Sequence, residues 1–560
     1  ETGAREANEF IPPLRSRTFE KLYETMIVNY ETSDRDEDYQ QPAILYICGG
    51  NSESNSYFQQ LVDWRHKRGY VVYTASLSET GSSESQIKTY IENAYHSLNP
   101  TPEFVALVGD ASGSHSDGGT YSLPTYFDDH GHNYYNNDCE GDHPYSQLSG
   151  NDLLPEVLIG RISVRSSTEI ATIASKIINY EKATYMTDMI PYFEKAALVG
   201  DPNSSGISTV ITNEYIEEII VAHGMEDVRT NFSGGYSSWM QNQLSEGVLY
   251  LNYRGYVGVS GFGSDNIDAA NNGFRLPFAT ILTCGTGSFA ENETALSEKF
   301  LRAGTSSNPK GAVASIGTAT LNTHTLFNNI VDMGLYDGLF AKNMETAGAA
   351  LANGKLALYS AYPSNPYNWV SAFTLWNNLM GDPATHLWTD TPIVMNASFD
   401  SEIPYGTNFI DITVQQQVGG PISSAMVTLL KGNDEIFMSG FTNNRGQITF
   451  DLDSPSEGTV SVTVTKQNCK PYEGSFTITM DSKLVNIDHD QEIELHNDDD
   501  GMLSPGETVG ISIPLKNIGS ENVSGISATL STTSPFLTIS NETVIYGTIN
   551  SEQTQYGDDF

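Results

Sequence analysis

Ala43-Ile-Leu-Tyr-Ile-Cys48-Gly-Gly50, Tyr70-Val-Val-Tyr-Thr-Ala75 and Phe104-Val-Ala-Leu-Val108 are short apolar runs, separated by segments 57–68 and 84–97 whose apolar spacing suits helices. Strand-like runs alternating with helical ones read as βαβ units around a parallel sheet. Runs that are apolar at every position belong to strands covered on both faces. Moving outward, Glu156–Ile162 is a further strand, and a second alternating half follows with strands at Ala196–Val199, Val248–Tyr253, Ala279–Thr283 and Ala312–Ile316. Helices fit Thr168–Tyr185, Thr209–Ala222 and Leu296–Ala303. The expected class is α/β, a two-subdomain α/β/α unit with mostly parallel sheets, ending near Trp388. Residues 110–152, rich in Asp, Gly, His, Tyr and Asn, interrupt this rhythm as long loops.

Beyond Pro392 the helical spacing stops and strand-like runs recur between turn signals. This predicts an all-β sandwich of immunoglobulin size. A second β-domain is expected from Leu484, with too few strands before Phe560 to close a sandwich of its own. Residues 1–41 are polar and irregular, with one short helix at Phe19–Tyr30, and read as a lead-in. The expected boundaries are therefore 1–41, 42–165, 166–392, 393–482 and 483–560.

The chain has 560 residues, with 28 Lys+Arg against 69 Asp+Glu and a net charge of −41. So acidic a surface repels phosphate backbones and anionic lipid, which argues against nucleic-acid or membrane-surface partners. No apolar run is long enough to span a bilayer, and no signal peptide is visible. Cys48, Cys139, Cys284 and Cys469 lie far apart, without a CxxC pair, so they form neither a disulfide framework nor a zinc pattern. Sequons at Asn203, Asn231, Asn292, Asn396, Asn522 and Asn541 mark surface if the chain passes through a eukaryotic secretory pathway.

Open α/β sheets bind ligands at the carboxyl ends of their strands. The clearest such end is Ala279-Thr-Ile-Leu-Thr-Cys284-Gly-Thr-Gly-Ser288, an apolar strand that runs into a cysteine and small residues. Cys284 is either a buried core thiol or a nucleophile. The second role needs a lowered pKa and backbone N–H groups gathered for an oxyanion. The expected neighbouring strand, Val248-Leu-Tyr-Leu-Asn252-Tyr-Arg-Gly255-Tyr256-Val257-Gly258, also ends in a glycine turn. A cysteine peptidase of caspase-like design needs a histidine at such an end to take the thiol proton. Tyr256 stands there instead.

Five segments in this order resemble the gingipain family of cysteine peptidases: Phe104–Asp110, Gly150–Arg161, Leu251–Gly255, Leu276–Cys284 and Met380–Pro383. The resemblance runs from about Ala43 to Trp388, and an immunoglobulin-like domain behind it also fits. It implies a secreted, caspase-like enzyme that cleaves peptide bonds through a Cys–His pair, often with bound calcium. Carried over residue by residue, Cys284 falls on the nucleophile. The backbone N–H groups of Cys284 and Val257 fall on the oxyanion hole, and Asp201 falls near the acid that orients the histidine. Thr209 falls near the acid that reads a basic P1 side chain, so arginine specificity is not expected. Tyr256 falls on the catalytic histidine, and a phenol of pKa ≈ 10 is a poor base near neutral pH. Either another histidine serves, His324 being the best placed, or the chain is a silenced relative. A silenced relative would act as an extracellular binding or filament component, with its β-domains tethering or self-assembling.

Two acidic stretches are candidate calcium sites. One is the loop with Asp128, Asp129, Asp138 and Asp142, which Asp110 and Asp117 could join. The other is His496-Asn-Asp498-Asp-Asp500-Gly501 with Glu507, whose spacing is close to an EF-hand loop. The tyrosines Tyr121, Tyr126, Tyr134, Tyr135 and Tyr145 are candidates to line a substrate groove, and His386 and Trp388 read as structural.

Overall fold

The computed structural model describes residues 14–560 apart from 34, 112–115, 129–138, 187–189, 292–293, 322, 408, 453–455, 480–484, 489–493, 497–504 and 533. The chain forms two compact units. One reaches to Met395 and takes in Thr465–Pro471, and the other holds Asn396–Val464 and Tyr472–Phe560.

The first unit is built on a ten-stranded sheet. Its strands in chain order are β1 (Ala43–Cys48), β2 (Val71–Ser76), β3 (Phe104–Val108), β4 (Leu158–Ile162) and β5 (Lys195–Gly200). They continue as β6 (Asp227–Asn231), β7 (Tyr250–Arg254), β8 (Phe278–Ile281), β9 (Ala314–Thr318) and β10 (Asn377–Met380). Across the sheet they lie in the order β2-β1-β3-β4-β10-β9-β8-β7-β5-β6. Every residue of β1, β3, β7, β8 and β9 is buried, as strands covered on both faces require; β1 and β3 are apolar throughout, while β7 buries Asn252 and Arg254. The helices between strands start on ordinary signals: Asn55 caps Ser56–Lys67, Ser83 with Gln86 makes a capping box on Glu84–Ser97, and Ser166 caps Ser167–Glu181.

The strand β10 joins the halves. It pairs parallel to β4 at Met380↔Arg161 and antiparallel to β9 from Ser315↔Met380 to Thr318↔Asn377. The two half-sheets therefore run in opposite directions, and their carboxyl ends lie at opposite edges. A four-residue strand beginning Asn-Asn carries no apolar run, so alternation alone does not reveal it. The helices before it, Thr325–Phe340, Ala347–Ala361 and Trp369–Trp376, are also absent from the sequence reading. Ala347–Ala361 is buried around most of its circumference, which erases the one-sided pattern that marks a surface helix.

Buried ion pairs fasten this unit. Arg161 on β4 donates twice to Asp142, at 2.7 and 2.8 Å, and also reaches the carbonyls of Gly109, Leu123 and Pro124. Arg65 pairs with Glu181 at 2.7 Å and with Asp382, just past β10, at 3.0 Å. Arg302 pairs with Glu298 at 2.7 Å and Asp110 at 2.9 Å. The described part of the second unit contains strands and no helix, consistent with the all-β expectation. The main sheet there has the order of Met426–Lys431 beside Ile436–Phe441, with Phe409–Gln416 beside Gln447–Asp451.

Asp142→Ala leaves the Arg161 guanidinium buried without its counter-charge. We expect a loss of about 3–5 kcal/mol in unfolding free energy by chemical denaturation. A loss below about 1 kcal/mol would show that the pair does not hold the half-sheet.

Candidate active site

The carboxyl edge of β5, β7, β8 and β9 gathers the candidate residues. Past β8, the chain turns through Thr283, Cys284 and Gly285, where φ is +72°. Gly285 N–H donates to Thr320 O at 2.7 Å, and Gly287 N–H donates to Thr318 O at 3.1 Å. The Thr286 hydroxyl donates to Ile281 O at 2.5 Å and accepts from Thr318 N–H at 3.2 Å. At Gly287 an added Cβ would sit 2.5 Å from the Gly317 carbonyl carbon, so the small residues are what let this loop lie against β9. Thr283 Oγ1 donates to Gly255 O at 3.1 Å, tying the Cys284 loop to the end of β7.

Among the four cysteines, Cys284 alone is partly exposed, the other three being buried. Its Sγ lies 2.9 Å from Thr323 Oγ1. Thr323 precedes the sixteen-residue helix Thr325–Phe340, so the thiol sits by a helix N-terminus, whose partial positive charge favours an anion. His324 is the N-cap of that helix. It is exposed, its Nδ1 accepts Leu326 N–H at 3.2 Å, and its ring meets Phe327 edge-on. The thiol is thus beside the residue that precedes His324, and the nitrogen nearest the backbone is occupied in capping.

Tyr256 is 50% exposed and Val257 43% exposed, on a turn that places Val259 and Ser260 at φ +46° and +53°. A β-branched residue in that region is strained, and such strain persists where surrounding structure enforces it. Here Ser260 Oγ donates to Asp201, and Tyr253 OH lies 3.5 Å from the same carboxylate oxygen. Asp201 is buried at the end of β5, with its other oxygen accepting Asn203 N–H at 2.9 Å. The acid expected to orient a histidine is therefore held by a serine and a tyrosine. Thr209 is fully buried, and its hydroxyl donates to Asp201 O and Gly206 O at 2.9 and 3.0 Å. It fixes the turn after β5 and offers no group to a P1 side chain. An open cleft of about 610 Å³ lies over this end of the sheet, lined by Asp201, Asn203, Gly235, Tyr236, Ser260 and Asn266.

Beneath the edge is a buried polar network. Arg254, the last residue of β7, donates through Nε and Nη2 to Asn329 Oδ1 at 2.9 and 2.8 Å, and through Nη2 to Thr325 O at 3.2 Å. Asp332, one helical turn along, lies 3.9 Å from Arg254 and accepts Asn252 Nδ2–H at 2.9 Å. Burial pushes the Asp332 carboxyl up to about 7, against the pull of Arg254 and the Asn252 hydrogen bond. Sequence reasoning passed over Thr323, Ser260 and this network. Arg254 counted only as part of a strand-end motif, and His324 drew attention from Thr323 because imidazole is the usual base.

The acidic loop is different from expectation. Asp142 is not a free metal ligand, since Arg161 and the Thr125 hydroxyl take both its oxygens. Glu140 is buried and accepts Ala290 N–H at 2.8 Å, Cys139 Sγ lies 3.1 Å from Thr320 Oγ1, and Asp110 pairs with Arg302. Asp128 N–H is bonded to Cys139 O at 2.8 Å. Glu507 lies in the irregular stretch between a turn at 505–506 and the Gly510–Ser512 strand. Asp129, Asp138, Asp498 and Asp500 lie outside the described residues, as do Tyr134 and Tyr135. Tyr121 and Tyr145 are core residues rather than groove lining, and Tyr145 OH donates to Pro124 O at 2.9 Å. His386, beside Tyr70 at 3.3 Å, is half-buried, and desolvation and Arg68 push its imidazole below its usual pKa.

The Asp332 environment predicts a pH dependence. A carboxyl raised from about 3.9 unfolded to about 7 folded binds more protons in the native state between those values. Its contribution to stability is complete below about pH 4 and declines as pH rises toward 7. The native protein should therefore lose more unfolding free energy between pH 5 and 7.5 than Asp332→Asn does. Parallel pH profiles of the two would contradict the assignment.

A model of peptidase family C25 matches residues 37–388, which span every strand of the ten-stranded sheet and Cys284. Gingipain R1 of Porphyromonas gingivalis is 24% identical over 470 residues, covering 80% of this chain and 44% of that protein. Lys-gingipain HG66 of the same organism is 22% identical over 496 residues, covering 81% of this chain and 26% of that protein. This chain thus spans less than half the length of either. The crystal structure of the Arg-specific cysteine proteinase gingipain R aligns with a TM-score of 0.68 at 20% identity, over 80% of this chain and 100% of that one. The shared fold is the caspase-like α/β arrangement, and the match across the whole sheet assigns this chain to peptidase family C25, the gingipain family of cysteine peptidases.

Proposed function

We propose that the chain is an extracellular cysteine endopeptidase with Cys284 as nucleophile and no preference for arginine at P1. The observation that carries this reading is the position of Cys284, a partly exposed thiol at the carboxyl edge of a central strand, on a loop fixed by backbone bonds to β9. The Cys284 thiolate attacks the scissile carbonyl carbon. The backbone N–H groups of Cys284 and Val257 hold the resulting oxyanion. The C–N bond breaks, the amine leaves with a proton from water, and a second water hydrolyses the thioester. Secretion is in keeping with the strongly acidic surface, and among the described residues no helix is long and apolar enough to cross a membrane. The absence of arginine preference rests on Thr209, a buried residue in the first turn of the helix Ser208–His223, near the point where Arg-specific relatives are expected to carry an acid.

A second reading, a catalytically silent binding protein, draws support from Tyr256. Its half-exposed phenol occupies the strand-end position of the histidine, and Asp201 is committed to Ser260. Cleavage of an unfolded protein substrate separates the two. Thiol-dependent cleavage that Cys284→Ala abolishes is expected for the peptidase, and cleavage untouched by that substitution would overturn it.

Tyr256→His supplies the missing imidazole next to Gly255. We expect kcat/KM for peptide hydrolysis at pH 7 to rise about a hundredfold, the lower end of what a positioned general base contributes. An unchanged kcat/KM in a folded variant would show that position 256 does not face the thiol.

A further inference from the structure

Cys284 sits between two turns, each tied to one of its immediate neighbours. On one side Thr283 Oγ1 donates to Gly255 O at 3.1 Å, and Tyr256 and Val257 follow Gly255. On the other side Gly285 N–H donates to Thr320 O at 2.7 Å, and Leu321 follows Thr320. A Cβ built on Gly285 would lie 2.9 Å from Leu321 Cδ2, so the leucine side chain lies against the residue after the thiol. Tyr256, Val257 and Leu321 are 50, 43 and 41% exposed. Leu326, in the first turn of the helix Thr325–Phe340, is exposed as well.

A single exposed leucine is ordinary on a protein surface. Three large apolar side chains on the two turns that flank one partly exposed thiol are not scattered. They keep apolar area in water at the point where a peptide lies during attack by Cys284. The polar groups of this edge are meanwhile engaged with one another. Asp201 accepts from Ser260 Oγ and Asn203 N–H, the Thr209 hydroxyl donates to two carbonyls, and Thr323 Oγ1 lies 2.9 Å from Cys284 Sγ. A charged substrate side chain laid on this surface gives up water without gaining a counter-charge. An apolar one covers apolar area on both partners.

We propose that Leu321 is the specificity-determining residue of this site, directing cleavage to peptide bonds that follow a large apolar residue such as Leu, Met or Phe. This rests on Cys284 being the nucleophile. P1 is the residue whose carbonyl carbon bonds to Sγ, so its side chain stays beside the thiol from attack to hydrolysis of the thioester. Leu321 meets that side chain from the Gly285 flank, and Tyr256 with Val257 borders it from the Gly255 flank. Leu321 does not touch the reacting atoms. It sorts substrates by the apolar area they bury against it.

The test is the rate at which Cys284 in the folded protein is alkylated by peptidyl chloromethyl ketones that differ only at P1, located by peptide mapping. The thiol displaces chloride from these reagents, so the subsite is read whether or not a peptide bond is cut. Cys48, Cys139 and Cys469 are buried and do not compete until unfolding. Leu or Phe at P1 is expected to react about tenfold faster than Ala, Arg or Glu, the lower end of what one methylene is worth in an apolar pocket. Leu321→Glu should raise the Arg rate relative to the Leu rate about tenfold, and Leu321→Met should keep the native order. Leu321→Ala, which adds no charge, should narrow the Leu-to-Ala ratio. Ratios between reagents cancel any change in the thiol itself. Native rates that do not depend on P1 would overturn the proposal, and so would folded Leu321→Glu and Leu321→Ala proteins that keep the native ratios. An apolar preference in alkylation without cleavage of the matching peptides would uphold the subsite and count against the enzyme reading alone.

Discussion

The strand Asn377–Met380 is the constraint on which the rest of the first unit depends. It lies parallel to one half-sheet and antiparallel to the other, and it alone turns two parallel sheets into one of ten strands. Four residues supply too little pairing to hold such a seam, so side chains reinforce it. Thr318 donates to Asn377 Oδ1 at 2.8 Å, Asn378 Oδ1 accepts Asp142 N–H at 3.0 Å, and Asp382 receives Arg65 and Tyr46 from the far half. Buried pairs of this kind contribute little net energy over a well-packed apolar core, but they are costly to break and they fix one register. Glu181 illustrates the balance: burial opposes its charge, yet Arg65 and Arg68 hold its carboxyl down at about 2.

The catalytic edge inherits its geometry from that seam. The strand β9 must lie in register with β10 for the Thr318 and Thr320 carbonyls to receive Gly287 and Gly285. Those two bonds fix the loop that carries Cys284. The helix Thr325–Phe340 then returns over β7 and β8, bringing Thr323 to the thiol and Asn329 and Asp332 to Arg254. Without an imidazole at position 256, the polar side chain the structure sets against the thiol is the Thr323 hydroxyl, just before the helix Thr325–Phe340. A threonine hydroxyl is not a general base of the kind an imidazole supplies. A slow peptidase is the expected phenotype, and it unites the two functional readings of Tyr256.

Much of this was legible in the residues. Runs such as Phe104–Val108 and Phe278–Ile281 announce doubly covered parallel strands because burial on both faces removes any alternation. Cys284 stood out because a thiol after such a strand, followed by Gly285 and Gly287, leaves room for backbone at a sheet edge. What stayed hidden depends on partners distant in the chain. Asn377–Met380 is a strand only because β4 and β9 flank it. Asp142 looked like a metal ligand in an acidic loop, and only Arg161, on another element, makes it a structural counter-ion. Tyr145 looked like groove lining and is core because Tyr126 and Pro124 pack on it. Arg254 is one basic residue in a strand motif until the helix places Asn329 and Asp332 against it.

The central claim is that Cys284 forms an acyl-enzyme at this edge. The most direct measurement is acid-quench mass spectrometry of the native protein mixed with an activated peptide ester at pH 7, followed by peptide mapping. One acyl group per chain on Cys284 is expected, lost by hydrolysis over time and absent when the protein is unfolded before mixing. No adduct on Cys284 in the folded protein, or one that forms equally after unfolding, would contradict it.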